Sequence, residues 1–213
     1  MSTYPISSRQ IDYHLFVANR IKTQGEYSMI AVANICIFCG SSNAVSQDYL
    51  DYASKMGRLC ANARVTVIYG GGSIGLMGAL ADAAMGAGGT VIGVIPDFLN
   101  KKDVAHSGIS EMVITSDIHQ RKAKMAEFAD AFVVLPGSIG TLEEMFEVIA
   151  WKQLKRFDKP IILANVNDYW APALALLDHM VCESFLSQQH RNLIHVVDHI
   201  DAVLPALGVR PVS

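Results

Sequence analysis

The stretch LPGSIGTLEEMFEVIAWKQL, residues 135–154, holds residues whose types and order could do chemistry. Pro136, Gly137, Ser138, Ile139, Gly140 and Thr141 make a small-residue loop. Such a loop lets backbone N–H groups approach an oxyanion, and the helix that follows adds the positive end of its dipole. Glu143 and Glu144 come next. A carboxylate one turn beyond a phosphate loop stands beside the sugar of a sugar phosphate. There it can stabilise the oxocarbenium-like state of glycosidic cleavage and orient the attacking water. A structural role competes with this chemistry. Thr141-Leu142-Glu143-Glu144 fits the T-x-x-E capping box, in which hydroxyl and carboxylate satisfy orphan N–H groups at a helix start. From spacing alone the capping role is preferred, with the helix over 141–154.

A second stretch, TSDIHQRKAKMAEFA (115–129), predicts a helix capped by Ser116 or Asp117 whose early turns carry His119, Arg121, Lys122 and Lys124. Cations near a helix N-terminus oppose its dipole, so an anion there would compensate them; a solvated basic face is the plainer reading. Arg121 is the candidate ligand contact, because a guanidinium grips a phosphate or carboxylate through two bonds at once.

Two further small-residue loops are GSSN (40–43), with Gly40, Ser41 and Ser42, and GGGSIGLMG (70–78), with Gly71 and Gly72. One such loop is a weak signal; three on one sheet edge favour an anion site. Gly70, Gly72 and Gly75 spell G-x-G-x-x-G, and Asp97 follows about twenty residues on, as in dinucleotide sites. The motif nevertheless follows the second strand, and Asp97 stands after Pro96 in a loop. Close helix-to-strand packing explains the glycines equally well. No P-loop pattern occurs.

These loops need strands and helices to place them. Short β-branched runs at 35–40, 65–70, 90–95, 111–115, 131–136, 160–165 and 193–197 alternate with helical stretches at 46–63, 74–87, 117–129, 141–154, 168–184 and near 199–206. That alternation predicts an α/β protein, a doubly wound parallel sheet flanked by helices, with its crevice at the carboxyl ends of the strands. The longest loop, 96–110, leaves the same edge. Residues 31–213 read as one nucleotide-binding catalytic domain, and 1–30 as an N-terminal extension, a helix or loose arm. Asp12 and Glu26 argue against a targeting peptide there, and Met29 could serve as an alternative start.

Of the 213 residues 51% are hydrophobic and 17% charged, which excludes disorder, and a net charge of -3 gives no general attraction to nucleic acid or membrane. A small-molecule partner is expected. Cys36, Cys39, Cys60 and Cys182 without a secretory signal suggest free thiols in a cytoplasmic protein. Cys36 and Cys39, three apart in a strand, should face opposite sides of the sheet. No metal or cofactor is expected.

Taken together, PGSIGTLEE, the upstream pair Arg121-Lys122, CGSSN, YGGGSIGLMG, GVIP and HQRKAKMAEFADAFVVLPG resemble the cytokinin-activating phosphoribohydrolases of the LONELY GUY type, once labelled lysine decarboxylases. The hallmark of that family is PGGxGTxxE after an Arg-Lys pair, and the likeness runs from about Ile35 to Ile162. The resemblance implies a Rossmann-like homodimer. It would hydrolyse the N-glycosidic bond of nucleoside 5′-monophosphates, AMP or N6-modified adenine nucleotides, to free base and ribose 5-phosphate. It further implies Arg121 and Glu144 as the catalytic pair, with Lys122 and the loop residues on the substrate. Asp103 stands where plant members usually have a substrate-contacting Glu. Ser138 replaces the second Gly of PGG, a change that matters if the position needs positive φ. Ala150 replaces a Thr near the pocket. Lys152 and Lys155 are also unusual. The rival readings are a non-catalytic nucleotide-binding or sensor protein and a dinucleotide-dependent oxidoreductase. A decarboxylase would need a lysine forming a Schiff base with pyridoxal phosphate.

Overall fold

The computed structural model describes residues 32–101 and 104–210. The expected extension, 1–30, and Asp103 lie outside the described residues. The described residues form a seven-stranded sheet. Its strands are β1 (Asn34–Phe38), β2 (Thr66–Tyr69), β3 (Val91–Pro96), β4 (Glu111–Thr115), β5 (Ala131–Val134), β6 (Ile161–Ala164) and β7 (Ile194–Val197). All neighbours run parallel, in the order β4-β3-β2-β1-β5-β6-β7. The chain steps outward from β1 to β4, returns to the other side of β1 as β5, and steps outward again. This is the expected doubly wound α/β fold of Rossmann-like kind, with its switch point between β1 and β5.

Helices α1 (Gln47–Asn62), α2 (Gly75–Gly86), α3 (Ile118–Phe128), α4 (Ile139–Gln153) and α5 (Ala171–Cys182) cover the sheet, with short α6 (Gln188–Arg191) and α7 (Val203–Ala206). In the inner strands both sheet faces are buried, so they read as continuous apolar runs rather than alternating ones, while the edge strands β4 and β7 are partly exposed. Ile35, Ile37 and Cys39 pack on one side with Met56, Leu80 and Val203. Cys36 and Phe38 pack on the other with Met125, Met145 and Leu177. The two cysteines of CIFC thus face opposite layers. Cys36, Cys39 and Cys60 are buried free thiols. Burial pushes the first two well above the ordinary thiol range and Cys60 up to about 12, which leaves them protonated at neutral pH. Among the described residues no helix is long and apolar enough to cross a membrane.

The register puts Phe38 opposite Val134, so β1 and β5 end level and their loops leave side by side. Gly40 N–H donates to the Pro136 carbonyl (3.0 Å), joining the two. The third loop is tied to the first from the other direction. No side chain of its own caps the start of α2; instead the Gly75 N–H donates to Asn43 Oδ1 at 2.7 Å. Gly75 has φ +63°, and a Cβ there would lie 2.6 Å from the Ser41 carbonyl carbon and the Ser42 nitrogen. The last glycine of G-x-G-x-x-G therefore serves the contact between two loops.

Gly75→Ala should accordingly lose about 2 kcal/mol or more, from the left-handed φ and the backbone clash together. Thermal unfolding followed by circular dichroism should show a midpoint lower by several degrees, at roughly 2–4 °C per kcal/mol for a chain of this size. Superimposable melts would show that the two loops separate freely.

Candidate active site

At the carboxyl ends of β1, β2 and β3, beside the switch point, lies a cavity of about 310 Å³, large enough for a small metabolite. One wall is polar and made of Gly40, Ser41, Gly70, Gly72, Ser138, Gly140 and Thr141. The rest of the lining is largely apolar and includes Ile74, Met77, Ile95, Leu99 and Val104. Arg121 and Glu144 also line the cavity.

Helix α4 begins at Ile139, two residues earlier than expected, with Ser138 as its N-cap. Thr141 is then the third helical residue and Glu144 lies in the second turn, too far along to fold back on the helix start. The expected capping box does not form. The Glu144 carboxylate turns to α3 instead, where Oε1 sits 3.1 Å from Arg121 Nη1, with the two side chains 10% and 13% exposed. The first N–H groups of α4, which have no carbonyl in their own helix to receive them, remain for a ligand.

Arg121 is held at both ends of its guanidinium. Nε–H donates to the Val94 carbonyl of β3 at 3.1 Å while Nη1 meets Glu144. The group lies against Gly70, where any side chain would collide with it. Asp117 caps α3 by accepting from the Gln120 N–H at 2.8 Å, and that bond, with a second from Ser116, holds its carboxyl below the ordinary value. The cations of the early α3 turns therefore have an anion at the helix start, as the dipole argument requires.

Burial is the main influence on Glu144 and pushes its pKa above the usual 4.5. The neighbouring Arg121 and Lys122 pull it down, and Glu143 pushes it further up. A carboxyl so placed changes protonation nearer neutrality than an exposed glutamate, as a general acid or base should.

The other expected residues divide into two groups. Gly40, Ser41, Gly72, Ser138, Gly140 and Thr141 come together with Arg121 and Glu144 around the cavity. Ser42, Gly71, Pro136, Gly137 and Ile139 stand behind or beside it. Ser42 Oγ accepts from Ala44 N–H, and the Gly71 carbonyl accepts from His106 N–H. Gly137 packs under Thr141, and its carbonyl accepts from Tyr169 O–H at 2.6 Å. Ile139 is 80% exposed. Lys122 and Glu143 do not line the cavity; they pair with each other on the neighbouring faces of α3 and α4, where Lys122 also meets Glu147 at 3.0 Å.

Ser138 has φ -100°, extended backbone open to any residue, so replacing a glycine there requires no left-handed φ and places a side chain at the polar wall. Ala150, expected near the pocket, lies elsewhere: it is exposed, in a separate apolar groove with Phe146, Leu177 and Met180. The residues missed from the sequence are Tyr169 and the apolar part of the lining; Gly70, read there only as part of G-x-G-x-x-G, leaves the space that Arg121 fills. Leu99 and Val104 carried the signal of the long loop. Ile74, Met77 and Ile95 carried none, since helix and strand cores use the same residues.

The family model described as "Possible lysine decarboxylase" matches residues 77–207. The chain is 41% identical over 175 residues to a cytokinin riboside 5′-monophosphate phosphoribohydrolase of Rhodococcoides fascians, covering 82% of this chain and 88% of that protein. It is 42% identical to a probable enzyme of the same name from Oryza sativa subsp. japonica, covering 81% and 72%. Among solved structures, the molybdenum cofactor binding protein of Rippkaea orientalis superposes with a TM-score of 0.63 at 18% identity, over 84% of this chain and 97% of that one, a likeness of fold alone. With Arg121, Glu144, Ser138, Gly140 and Thr141 of its hallmark gathered at one cavity and identity of this extent, the chain belongs to the family of that model, together with the cytokinin riboside 5′-monophosphate phosphoribohydrolases.

Proposed function

We propose that this protein hydrolyses the N-glycosidic bond of nucleoside 5′-monophosphates, of AMP and N6-modified adenine nucleotides, to the free base and ribose 5-phosphate, acting as a cytoplasmic homodimer. The observation that carries the reading is the buried Arg121–Glu144 pair at a cavity that also receives the start of α4. The phosphate would sit against the polar wall, with the N–H groups of Gly140 and Thr141 and the hydroxyls of Ser41, Ser138 and Thr141 as donors. The base would lie along Ile74, Leu99 and Val104, which offer apolar contact.

In that pose the reaction needs little beyond these groups. The bond from C1′ to the base nitrogen breaks with its electron pair leaving on the base. The Glu144 carboxylate stabilises the positive charge that develops on the sugar, takes a proton from water, and directs the oxygen to C1′; the departing base takes up a proton from solvent, and Glu144 returns its own to solvent to close the cycle. Arg121 holds the carboxylate in place and favours its charged form against the pull of burial. The decarboxylase description of the family model does not fit this cavity. Pyridoxal phosphate chemistry requires a lysine to form the Schiff base, and among the described residues no lysine lines it. The buried free thiols suit a reducing compartment.

Incubation with AMP and with isopentenyladenosine monophosphate should release free base, detected by chromatography; folded protein that releases none from any monophosphate would leave the sensor reading in its place. Glu144→Gln should lower kcat at least about a hundredfold, the scale of a lost general base, while ribose 5-phosphate still binds in calorimetry. The sign of the pH dependence follows from Glu144 acting ionised. Activity should rise with pH through a pKa above 4.5, so the acid limb of kcat/KM should lie above that of an ordinary glutamate and be absent from Glu144→Gln. Ser138→Gly should fold normally and weaken ribose 5-phosphate binding several-fold, as expected for one lost hydrogen bond of about 1 kcal/mol; unchanged affinity would remove Ser138 from the cradle.

A further inference from the structure

Lys122 follows Arg121 in α3, and Glu143 precedes Glu144 in α4. Adjacent residues on a helix point about 100° apart, so the two helices meet along two rungs. The rung at the cavity is Arg121 with Glu144. Beside it, Lys122 reaches Glu143 and Glu147, which stand four apart on one face of α4 and so close on the ammonium from both sides. Lys122 is only 7% exposed, whereas the Glu143 side chain is 52% exposed. A buried ammonium needs partners to remain charged, and two carboxylates engage two of its three donors.

From this geometry we propose that Lys122 is a positioning residue rather than a substrate ligand: it clasps α4 through Glu143 and Glu147, holds Glu144 against Arg121, and cancels the negative charge beside the reacting carboxylate. The inference rests on the proposed hydrolysis for its purpose, but the clasp can be read without turnover. Lys122 does not line the cavity, and to touch a phosphate there the ammonium would have to move away from the two carboxylates that hold two of its donors. Its burial works against its charge, yet the bonds to Glu143 and Glu147 outweigh this and hold its pKa above the ordinary lysine value, as in a closed ion-pair cluster.

The charged or titratable groups facing Glu144 are Arg121 and Lys122 from α3, Glu143 from its own helix, and Cys36 from β1 with Cys39 just beyond that strand, whose thiols burial keeps neutral. Within that set Lys122 and Glu143 act on Glu144 in opposite directions. A clasp that only glued helices together would behave differently. Its loss would loosen the site, admit water, and let the Glu144 pKa fall toward that of an exposed carboxyl.

The test is to follow the Glu144 carboxyl by carbon-13 NMR through a pH titration, in the parent and in Lys122→Met, Lys122→Arg and Glu143→Gln, and to measure ribose 5-phosphate binding by calorimetry. Positioning predicts that Lys122→Met moves the Glu144 titration to higher pH and Glu143→Gln to lower pH. Lys122→Arg should stay near the parent, and ribose 5-phosphate affinity should change less than about twofold in all three. A fall or no change of the Glu144 pKa in Lys122→Met would overturn the proposal. So would a loss of ribose 5-phosphate affinity of roughly tenfold or more in Lys122→Met, the effect of deleting a charged hydrogen bond to the ligand. Should Lys122→Met fail to fold, Glu143→Gln decides, since its substitution falls on the half-exposed side and its titration must still move down. A parent protein that binds no ribose 5-phosphate would count against the proposed substrate, while the titrations would still decide the clasp.

Discussion

A carboxylate can be kept out of water only if something nearby holds its charge, and the site is organised around meeting that condition for Glu144. Removing one partner of a buried pair leaves an uncompensated charge, which costs far more than the pair contributes. Arg121 must therefore be fixed as firmly as Glu144. The sheet provides this through the Val94 carbonyl, and Gly70 provides the space. From the pair the constraint spreads outward. Helix α3 must start where Asp117 can cap it, α4 must start just after Ser138 so that Glu144 falls in its second turn, and β1 and β5 must end level so that both helices border one cavity.

The architecture was nearly all legible in the sequence, for a physical reason: a parallel sheet buried on both faces writes itself as short β-branched runs between amphipathic helices. ICIFC, TVIY, AFVV and IILA each became strands near their expected limits. The start of α4 was misplaced because Thr141-Leu142-Glu143-Glu144 satisfies a local rule that tertiary contact overrides. A capping box describes a helix in isolation. Here Glu144 gains more from a buried guanidinium than from a backbone N–H, and the early helical residues are left to face the cavity.

At the site itself, residue type was readable and direction was not. Arg121 and Lys122 look equivalent as neighbouring cations, and Glu143 and Glu144 as neighbouring acids, until helical phase assigns one of each to the cavity and the other to the seam behind it. The small residues were similarly split: Gly40, Ser138 and Gly140 border the space, while Pro136 and Gly137 support it through their carbonyls. The apolar part of the lining, drawn from α2, β3 and the long loop, exists only after folding has brought distant segments together.

The two bonds that join the loops, from Gly40 N–H to Pro136 and from Gly75 N–H to Asn43, make the β1 loop the common neighbour of the other two. Residues separated by nearly a hundred positions are thus tied through one loop. A fluctuation that freed the β1 loop would break both bonds, and with them the ties of the phosphate-type loop and the start of α2. Ligand affinity at such a wall depends on the fraction of molecules in which the ties are closed, and a change far from any donor, if it alters that fraction, alters binding as surely as the loss of a hydroxyl.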